Sequence, residues 1–139
     1  MDTGPDTVID ELSVEECLDL LRGEDVGRLG VVVDGQPLIF PVNHLVDDGV
    51  VVFRTDQGAK LAGASLAKVA FEVDRIDEER RLGWSVLVVG RGFDVTDTVD
   101  ERSVVLRRLP VAPWAGGERA HWVKIVAAAT TGRRIRPRS

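Results

Sequence analysis

Two short turns divide the valine-rich first half of the chain, and this feature constrains the fold most strongly. Asp34-Gly35 separates the apolar run Val26–Val33 from the segment Pro37–Val46. A second turn, Asp47-Asp48-Gly49, leads into Val50–Thr55. Asp-Gly pairs favour tight two-residue turns between antiparallel strands, because both turn positions need positive φ angles. The three segments are therefore predicted to form an antiparallel meander.

The strands of this meander are nearly continuous in apolar residues. The runs VVV at 31–33 and VVVF at 50–53 predict strands buried on both faces, in a wall covered by a helix or a partner. Proline within the second strand is confined to an edge or a bulge, because it has no N–H to donate. We therefore expect a bend or a free edge there, with unpaired backbone groups that a planar polar ligand can contact, at Pro41, Val42, Asn43 and His44.

The second half of the chain continues this pattern. Strands are predicted at Lys68–Asp74, Trp84–Val95 and His121–Ala128, and Gly90 and Gly92 indicate a bend or a close backbone approach. Closing six sequential antiparallel strands into a small barrel removes the sheet edges. The fold class predicted is mainly β, a six-stranded antiparallel barrel with short flanking helices.

Helices are predicted at three places. Ser13–Glu16 (SVEE) is a capping box that opens a helix ending at Gly23. Thr98–Glu101 (TVDE) is a second capping box, whose helix runs to about Arg108. A short helix is also expected over Gln57–Ala64. The apolar face of the first helix comprises Val14, Cys17, Leu18 and Leu21.

Length and composition limit the class of protein. The 139 residues suit one domain, 1–139, with one core. A net charge of −5 argues against a nucleic-acid-binding role. No stretch approaches the roughly 20 apolar residues that cross a membrane. Cys17 is the only cysteine, so no intrachain disulfide forms and a cytoplasmic location is expected.

The charges are unevenly distributed between the two ends. Residues 1–26 contain nine acidic groups against Arg22 alone, whereas residues 133–139 contain four arginines and no acid. Residues 1–10 are expected to form a loose leader and residues 133–139 a basic tail. The simplest interpretation is two solvated ends. The alternative is that the arginines contact an acidic surface or an anionic ligand.

One segment concentrates anion-binding chemistry. VVFRTDQGAKL, which ends at Leu61, places Arg54, Thr55 and Lys60 at a strand-to-helix junction. Cationic groups, a hydroxyl and the free N–H groups of a helix start suit a phosphate. Equally, Arg54 and Lys60 can be plain surface charges. Trp84 packing in the barrel and His44 hydrogen-bonded within its strand are the simpler interpretations of those two residues.

Other common site chemistries find little support. Two histidines and one cysteine show no metal-ligand spacing, so no metal site is predicted. No nucleophile elbow, P-loop or dinucleotide-binding fingerprint occurs in the chain.

The order and spacing of the motifs resemble the FMN-binding split-barrel family, the pyridoxamine 5'-phosphate oxidase-like proteins, especially its small actinobacterial-type members. The resemblance runs from about Leu12 to Ile135. It is carried by ECLDLL at 16–21, VGRLGVVVDGQPLIFPVNH at 26–44, VFRTDQGAKL at 52–61, VAFEVD at 69–74, GWSVLVVG at 83–90, and HWVKI followed by TGRRI. It implies a six-stranded split barrel that forms a homodimer, with two FMN sites at the subunit interface.

The resemblance also implies roles for individual residues. Arg54, Thr55 and Lys60 would bind the FMN phosphate. Trp84 and Ser85 would reach the flavin from the other subunit, and Trp122 would line the substrate side. The backbone beside the flavin ring would come from Pro41, Val42, Asn43 and His44.

Three features depart from the family pattern. Ala59 stands where relatives commonly carry Thr, Ser or Arg, which removes one phosphate donor. His44 occupies a position where relatives often have Tyr. The substrate-binding Arg and His pattern of true pyridoxamine phosphate oxidases is not evident, so that activity is not expected.

The resemblance leads to three functional hypotheses. The first is an FMN-dependent oxidoreductase that transfers hydride to or from a small molecule. The second is a reductase of the same fold that uses 8-hydroxy-5-deazaflavin, whose phosphorylated tail the arginine-rich end and Lys60 would bind. The third is a non-catalytic flavin- or haem-binding module, with His44 or His121 as haem ligand. The substrate and the electron donor stay open.

Overall fold

The computed structural model describes residues 6–55, 64–111 and 121–138. Their secondary structure consists of strands and two short helices in the following order: β1 Thr7–Glu11, α1 Val14–Arg22, β2 Val26–Val33, β3 Gln36–Asp47, β4 Val50–Thr55, β5 Ala64–Asp77, β6 Leu82–Asp94, α2 Glu101–Leu106 and β7 His121–Pro137.

The strands form one antiparallel sheet that closes on itself. The strand order is β1-β7-β4-β3-β2-β5-β6, and β6 pairs again with β7. Strands β2 to β7 therefore complete a barrel, while β1 lies outside the ring on the second half of β7. The predicted mainly β split barrel is confirmed, with seven described strands where six were expected.

The meander is confirmed with its boundaries close to those predicted. Both two-residue turns have positive φ at each position: 50° and 77° at Asp34 and Gly35, and 49° and 77° at Asp48 and Gly49. These angles match the twist of the flanking strands. In contrast, β5 begins four positions before the predicted Lys68 and extends to Asp77.

The barrel interior is filled by alternate residues of the strands. Phe53 and Phe71 are its largest fully buried side chains. Helix α1 covers one end of the barrel through Cys17 and Leu21, which are fully buried. Its capping box is present as predicted, since Ser13 and Glu16 exchange hydrogen bonds. Burial raises the pKa of the Cys17 thiol, which fits the small core residue predicted from its position on the helix.

A second apolar cluster lies on the outer face of β4. Val52 and Trp122 pack there against α2 and the segment after it, in a group completed by Val95, Leu106 and Val111. Because Val51 and Phe53 face the barrel interior, β4 is buried on both sides, as predicted. The same prediction is wrong for β2, where Val32 is 48% exposed between Val31 and Val33. No element covers that face of β2 in the described parts of the chain.

The second helix differs from its prediction. Asp100, rather than Thr98, caps α2, because its carboxylate accepts from the Ser103 N–H at 3.0 Å and the Ser103 hydroxyl at 2.7 Å. The Thr98 hydroxyl donates instead to the Val95 carbonyl. The helix ends at Leu106, short of the predicted Arg108.

The described parts of the two charged ends pair with each other, so the expectation of a loose leader and a basic tail is corrected for residues 7–10 and 133–137. Residues Thr7–Glu11 form β1, and β7 continues through the arginines to Pro137. Glu11 lies opposite Arg133, and Arg136 forms an ion pair with Asp10. Opposite charges on neighbouring strands stabilise the pairing. The strand was not predicted because its partner lies at the far end of the chain.

A β-bulge interrupts the pairing of β6 with β7. Val89 lies opposite Ala129 and Gly90 lies opposite Ala127, so Ala128 is the additional residue. A Cβ at Gly90 would lie 2.1 Å from the Val126 carbonyl oxygen. The close backbone approach predicted for this glycine is therefore confirmed.

Two further observations complete the fold. The helix predicted over 57–64 falls outside the described residues except for Ala64, which begins β5. In the described ranges, neither helix has the length and apolarity needed to span a bilayer.

Candidate functional site

Arg54 lies on the outer face of β4, next to the second apolar cluster. Its guanidinium carbon is 5.5 Å from the centroid of the Trp122 ring, and its Nη1 donates to the Val111 carbonyl at 3.4 Å. Its Nε is buried and has no hydrogen-bond partner among the described residues. A buried guanidinium donor without an acceptor is costly, so this position suits an anionic ligand that would accept from it.

Thr55 points to the opposite face of β4. Neighbouring strand residues alternate between faces, and Thr55 lies opposite His121 whereas Arg54 lies opposite Trp122. Thr55 is 4% exposed. Of the two described residues expected at the phosphate, Arg54 and Thr55, only Arg54 thus lies beside Trp122. Lys60, with Ala59, is outside the described residues.

The backbone expected beside the flavin ring is only partly unpaired. Pro41 pairs with Arg28 of β2, and the described pairing of β3 with β4 begins at Asn43. The prediction of unpaired groups is wrong beyond Val42, because Asn43 pairs on both sides and the His44 N–H donates to the Asp25 carbonyl at 3.0 Å. The Val42 side chain belongs to the core.

His44 lies inside the barrel end covered by α1. It is 3% exposed, its Nε2 is 2.9 Å from the Leu21 carbonyl oxygen, and its ring makes an edge contact with Phe71. Its Nδ1 is buried without a hydrogen-bond partner in the described chain. Burial lowers the pKa of His44, and the hydrogen bond to Leu21 only partly opposes this. Because His44 is buried within the barrel core, a haem cannot approach its Nδ1 without displacing core side chains, and His44 is therefore a poor haem ligand.

The environment of His44 predicts acid-sensitive stability. The unfolded chain binds a proton at His44 near the ordinary pKa of about 6.5, whereas the folded chain resists it. The stability from neutral His44 is therefore complete above that value and is lost as pH falls below it towards the lowered folded pKa. Denaturant unfolding should be measured from pH 7.5 to pH 5. Over this range the free energy of unfolding of the wild type should fall more steeply with falling pH than that of His44→Gln, by up to about 1.4 kcal/mol per pH unit. Parallel slopes for the two proteins would contradict this explanation.

Trp84 and Ser85 line a cleft near the end of the barrel that α1 covers. Its volume is about 480 Å³, and its walls include Ile76, Leu82 and Ile135. A shallower hollow of about 380 Å³ continues across the outer face of β2, β5 and β6. The two share Glu72 and Asp74. We call the combined feature the outer groove; an apolar slot with a few polar groups suits a flat ring.

A charged triad lies where the two parts of the outer groove meet. Arg28 Nη1 donates to Glu72 Oε1 and to Asp74 Oδ2, each at 3.1 Å. Burial, followed by the neighbouring Asp74, raises the pKa of Glu72 to about 7. Glu72 can therefore gain or lose a proton near neutral pH. Sequence reasoning missed this triad, although the spacing of Glu72 and Asp74 places both carboxyls on one face of a strand.

The expected site residues fall into two separate groups. Arg54 lies beside Trp122, near the start of the 17-residue β7. Trp84 and Ser85 pair with Arg134 and Arg133, near its end. Along β7, twelve positions separate Trp122 from Arg134, and in the other direction around the barrel β3, β2 and β5 lie between β4 and β6. The two groups therefore lie apart within one chain.

His121 and Asp94 form a polar pair beside the start of β7. His121 Nδ1 is 3.5 Å from Asp94 Oδ2, and the Thr96 hydroxyl donates to Asp94 Oδ1 at 2.6 Å. Although burial raises the pKa of Asp94, hydrogen bonds from Thr96 and His121 outweigh that effect and hold it below its ordinary value. Within the described ranges, no group of three His, Cys, Asp or Glu side chains is arranged to hold a metal.

Comparison with known proteins identifies the family. The family model described as pyridoxamine 5'-phosphate oxidase matches residues 13–134. The chain belongs to this family. This agrees with the barrel, with the outer groove and with the motifs on which the sequence resemblance rests.

Individual relatives extend the comparison. An uncharacterized protein of Mycobacterium tuberculosis, Rv0080, is 38% identical over 131 residues, covering 90% of this chain and 84% of its own. The FAD binding protein from Mycobacterium smegmatis is 37% identical, with a TM-score of 0.75 over 91% of this chain and all of that one. A heme binding protein from M. smegmatis shares the fold alone, at 13% identity and a TM-score of 0.65, covering 86% of this chain and 53% of that one.

Proposed function

We propose that the protein binds FMN or a closely related phosphorylated flavin and transfers hydride between that flavin and a small molecule. The observation that carries the proposal is the buried, unsatisfied Nε of Arg54 beside Trp122. A phosphate oxygen is an acceptor of the required charge, and charge-assisted hydrogen bonds are among the strongest in proteins. The FAD-binding relative at 37% identity supports a flavin.

The residues of the chain would divide the work of binding and proton handling. The bound flavin supplies the hydride chemistry. Arg54 would hold the phosphate, and the apolar walls around Trp84 would hold the ring. Glu72 lies in the same groove with a pKa of about 7, so it can supply or accept a proton close to the ring.

A homodimer is part of the proposal. Arg54 and the outer groove lie too far apart in one chain to enclose one flavin, whereas the groove of a second copy can complete the site. The outer face of the barrel carries apolar side chains suited to such a contact, including Ile39, which is 74% exposed, and Leu87 and Val89. Sedimentation should show a dimer at micromolar concentration, and a monomer at that concentration would contradict the shared site.

The experiment that tests cofactor binding is spectroscopic. The purified protein is expected to be yellow, with a flavin spectrum that bleaches on reduction. If it is colourless as isolated, titration with FMN should restore that spectrum. Protein that remains colourless and shows no FMN binding by titration overturns the proposal.

The alternative cofactors are less well supported. The arginine-rich end, expected to serve a deazaflavin tail, is part of β7, and Arg136 is paired with Asp10. His44 is buried within the barrel core, and the haem-binding relative shares only the fold. We also propose a cytoplasmic location, since Cys17 is a buried free thiol.

A further inference from the structure

Cations alternate with aromatic rings along the outer face of β4, β7 and β6. From Arg54 and Trp122 the series continues to Lys124, whose Nζ is 5.6 Å from the centroid of the Phe93 ring. The guanidinium carbon of Arg91 is 5.1 Å from the same centroid. Strand pairing places these side chains on one face, because Phe93 lies opposite Lys124 and Arg54 opposite Trp122. We call this series the cationic strip: Arg54, Trp122, Lys124, Phe93 and Arg91.

Two cations, Arg91 and Lys124, lie at the β6–β7 end of the strip. Neither Arg91 nor Lys124 is in an ion pair with any described residue. Lys124 helps to lower the pKa of Asp100, but that carboxylate already caps α2 through Ser103. Two like charges that converge on one ring repel each other, and a bridging anion would relieve this repulsion.

Apolar surface surrounds the two cations. Phe93 is 37% exposed, and Val126 is 46% exposed on the same face. Val126 lies opposite Arg91 in the β6–β7 pairing. A ligand that carries both negative charge and a flat ring would cover this surface, whereas inorganic phosphate would leave it in contact with water.

We propose that Arg91 and Lys124, with Phe93 between them, bind a nucleoside diphosphate group. The diphosphate lies between the two cations, and the base packs on Phe93 and Val126. The site lies on the same outer face as Arg54 and Trp122, and in that respect it rests on the proposed function. Because β4 and β6 are separated by two strand spacings, about 10 Å, the strip can accommodate more phosphate than FMN carries. The group can come from FAD or from a nicotinamide dinucleotide donor.

Calorimetric titration at 0.15 M salt with ADP, pyrophosphate and adenosine tests the site directly. ADP should bind more tightly than either fragment. The double variant Arg91→Gln/Lys124→Gln should weaken ADP binding at least about tenfold, as expected for two charge-assisted contacts. Phe93→Leu should weaken ADP binding about threefold to tenfold, as expected from the loss of base stacking, and leave pyrophosphate unchanged. The matched double variant Arg22→Gln/Arg80→Gln removes two exposed charges elsewhere and should bind like the wild type.

Two results overturn the proposal. One is equal weakening of ADP binding by both double variants. This result would show that ADP responds to the net charge of the protein and not to these two cations. The other is ADP binding no tighter than pyrophosphate, which would show an anion patch without a base site. Neither result depends on flavin binding, so failure here is distinguishable from failure of the proposed function.

A second set of titrations identifies the source of the nucleotide. If FAD is the source, the wild type should bind FAD more tightly than FMN. The Arg91→Gln/Lys124→Gln variant should bind FAD and FMN with equal affinity. If the donor is the source, FAD and FMN should bind alike, and NADH should compete with ADP. ADP binding that neither FAD nor NADH displaces would contradict a site for either molecule.

Discussion

Replacing Phe71 with alanine is expected to lower the free energy of unfolding by about 3–5 kcal/mol. Phe71 is fully buried at the centre of the barrel core. Its ring occupies the space that Gly27 leaves on β2, where a Cβ would lie 2.2 Å from the Phe71 Cζ, and it makes an edge contact with His44. The backbone at Gly27 cannot move inward to fill the cavity without breaking its pairing with Val42.

Thermal and denaturant unfolding would measure this effect. A loss of that size corresponds to a fall in Tm of about 10 °C or more in a domain of this length. Val99→Ala provides the control, because Val99 is 90% exposed and its truncation should change stability by about 0.5 kcal/mol or less. A similar small change for Phe71→Ala would show that the barrel interior repacks freely, contrary to the packing described.

Replacing Arg54 with glutamine is expected to weaken FMN binding by about 1.5–3 kcal/mol, or about 10- to 150-fold in Kd. The guanidinium offers a buried, unsatisfied Nε to the phosphate, and glutamine carries no charge to replace it. Riboflavin, which lacks the phosphate, should bind the variant and the wild type alike. The ratio of the two affinities therefore separates phosphate binding from any loss of packing against Trp122 and Val111.

Two further variants sharpen the test. Arg80→Gln removes an exposed cation from the turn between β5 and β6 and should leave both affinities unchanged. Lys60→Gln tests the remaining sequence-predicted phosphate ligand and should also weaken FMN selectively. Wild-type FMN affinity in both Arg54→Gln and Lys60→Gln would mean that the phosphate binds elsewhere.

Local sequence signals predicted the elements whose determinants lie close together. The Ser13–Glu16 capping box located α1, and the two Asp-Gly turns located β2, β3 and β4. In each case the hydrogen bonds or the φ angles that define the element belong to neighbouring residues. The same reasoning placed the α2 cap wrongly, because Thr98 and Asp100 both offer capping groups and only the fold decides between them.

Elements that depend on distant partners escaped prediction. β1 forms because its acidic residues lie opposite the arginines of β7, which no local pattern indicates. The exposure of Val32 likewise depends on whether another element covers that face of β2. The β-propensity of valine predicts that a segment is a strand, whereas the burial of each strand face depends on which other elements pack on it.

The sequence predicted which types of residue form the candidate site, but it predicted their positions relative to one another only in part. Arg54 was identified from its position at the end of an apolar strand, and its unsatisfied Nε strengthens that assignment. The separation of Arg54 from Trp84 follows from the closure of the barrel, and so does the convergence of Glu72 and Asp74 on Arg28. Each of these side chains was unremarkable in isolation, because its environment is supplied by other strands.

The bulge at Ala128 makes β7 sensitive to insertions and deletions in a particular way. Before the bulge, the even-numbered Lys124 and Val126 face outward, whereas after it the even-numbered Gly132 faces Cys17 in the interior. The additional residue therefore reverses the parity of the strand. Deleting Ala128 alone would remove the bulge and leave Gly132 facing the interior and Arg133 facing outward, whereas one further inserted residue, without a second bulge, would turn Arg133 towards the core and Gly132 towards solvent. The bulge in β7 therefore absorbs one additional residue, while the cationic strip before it and the outer groove after it both stay on the outer face of the barrel.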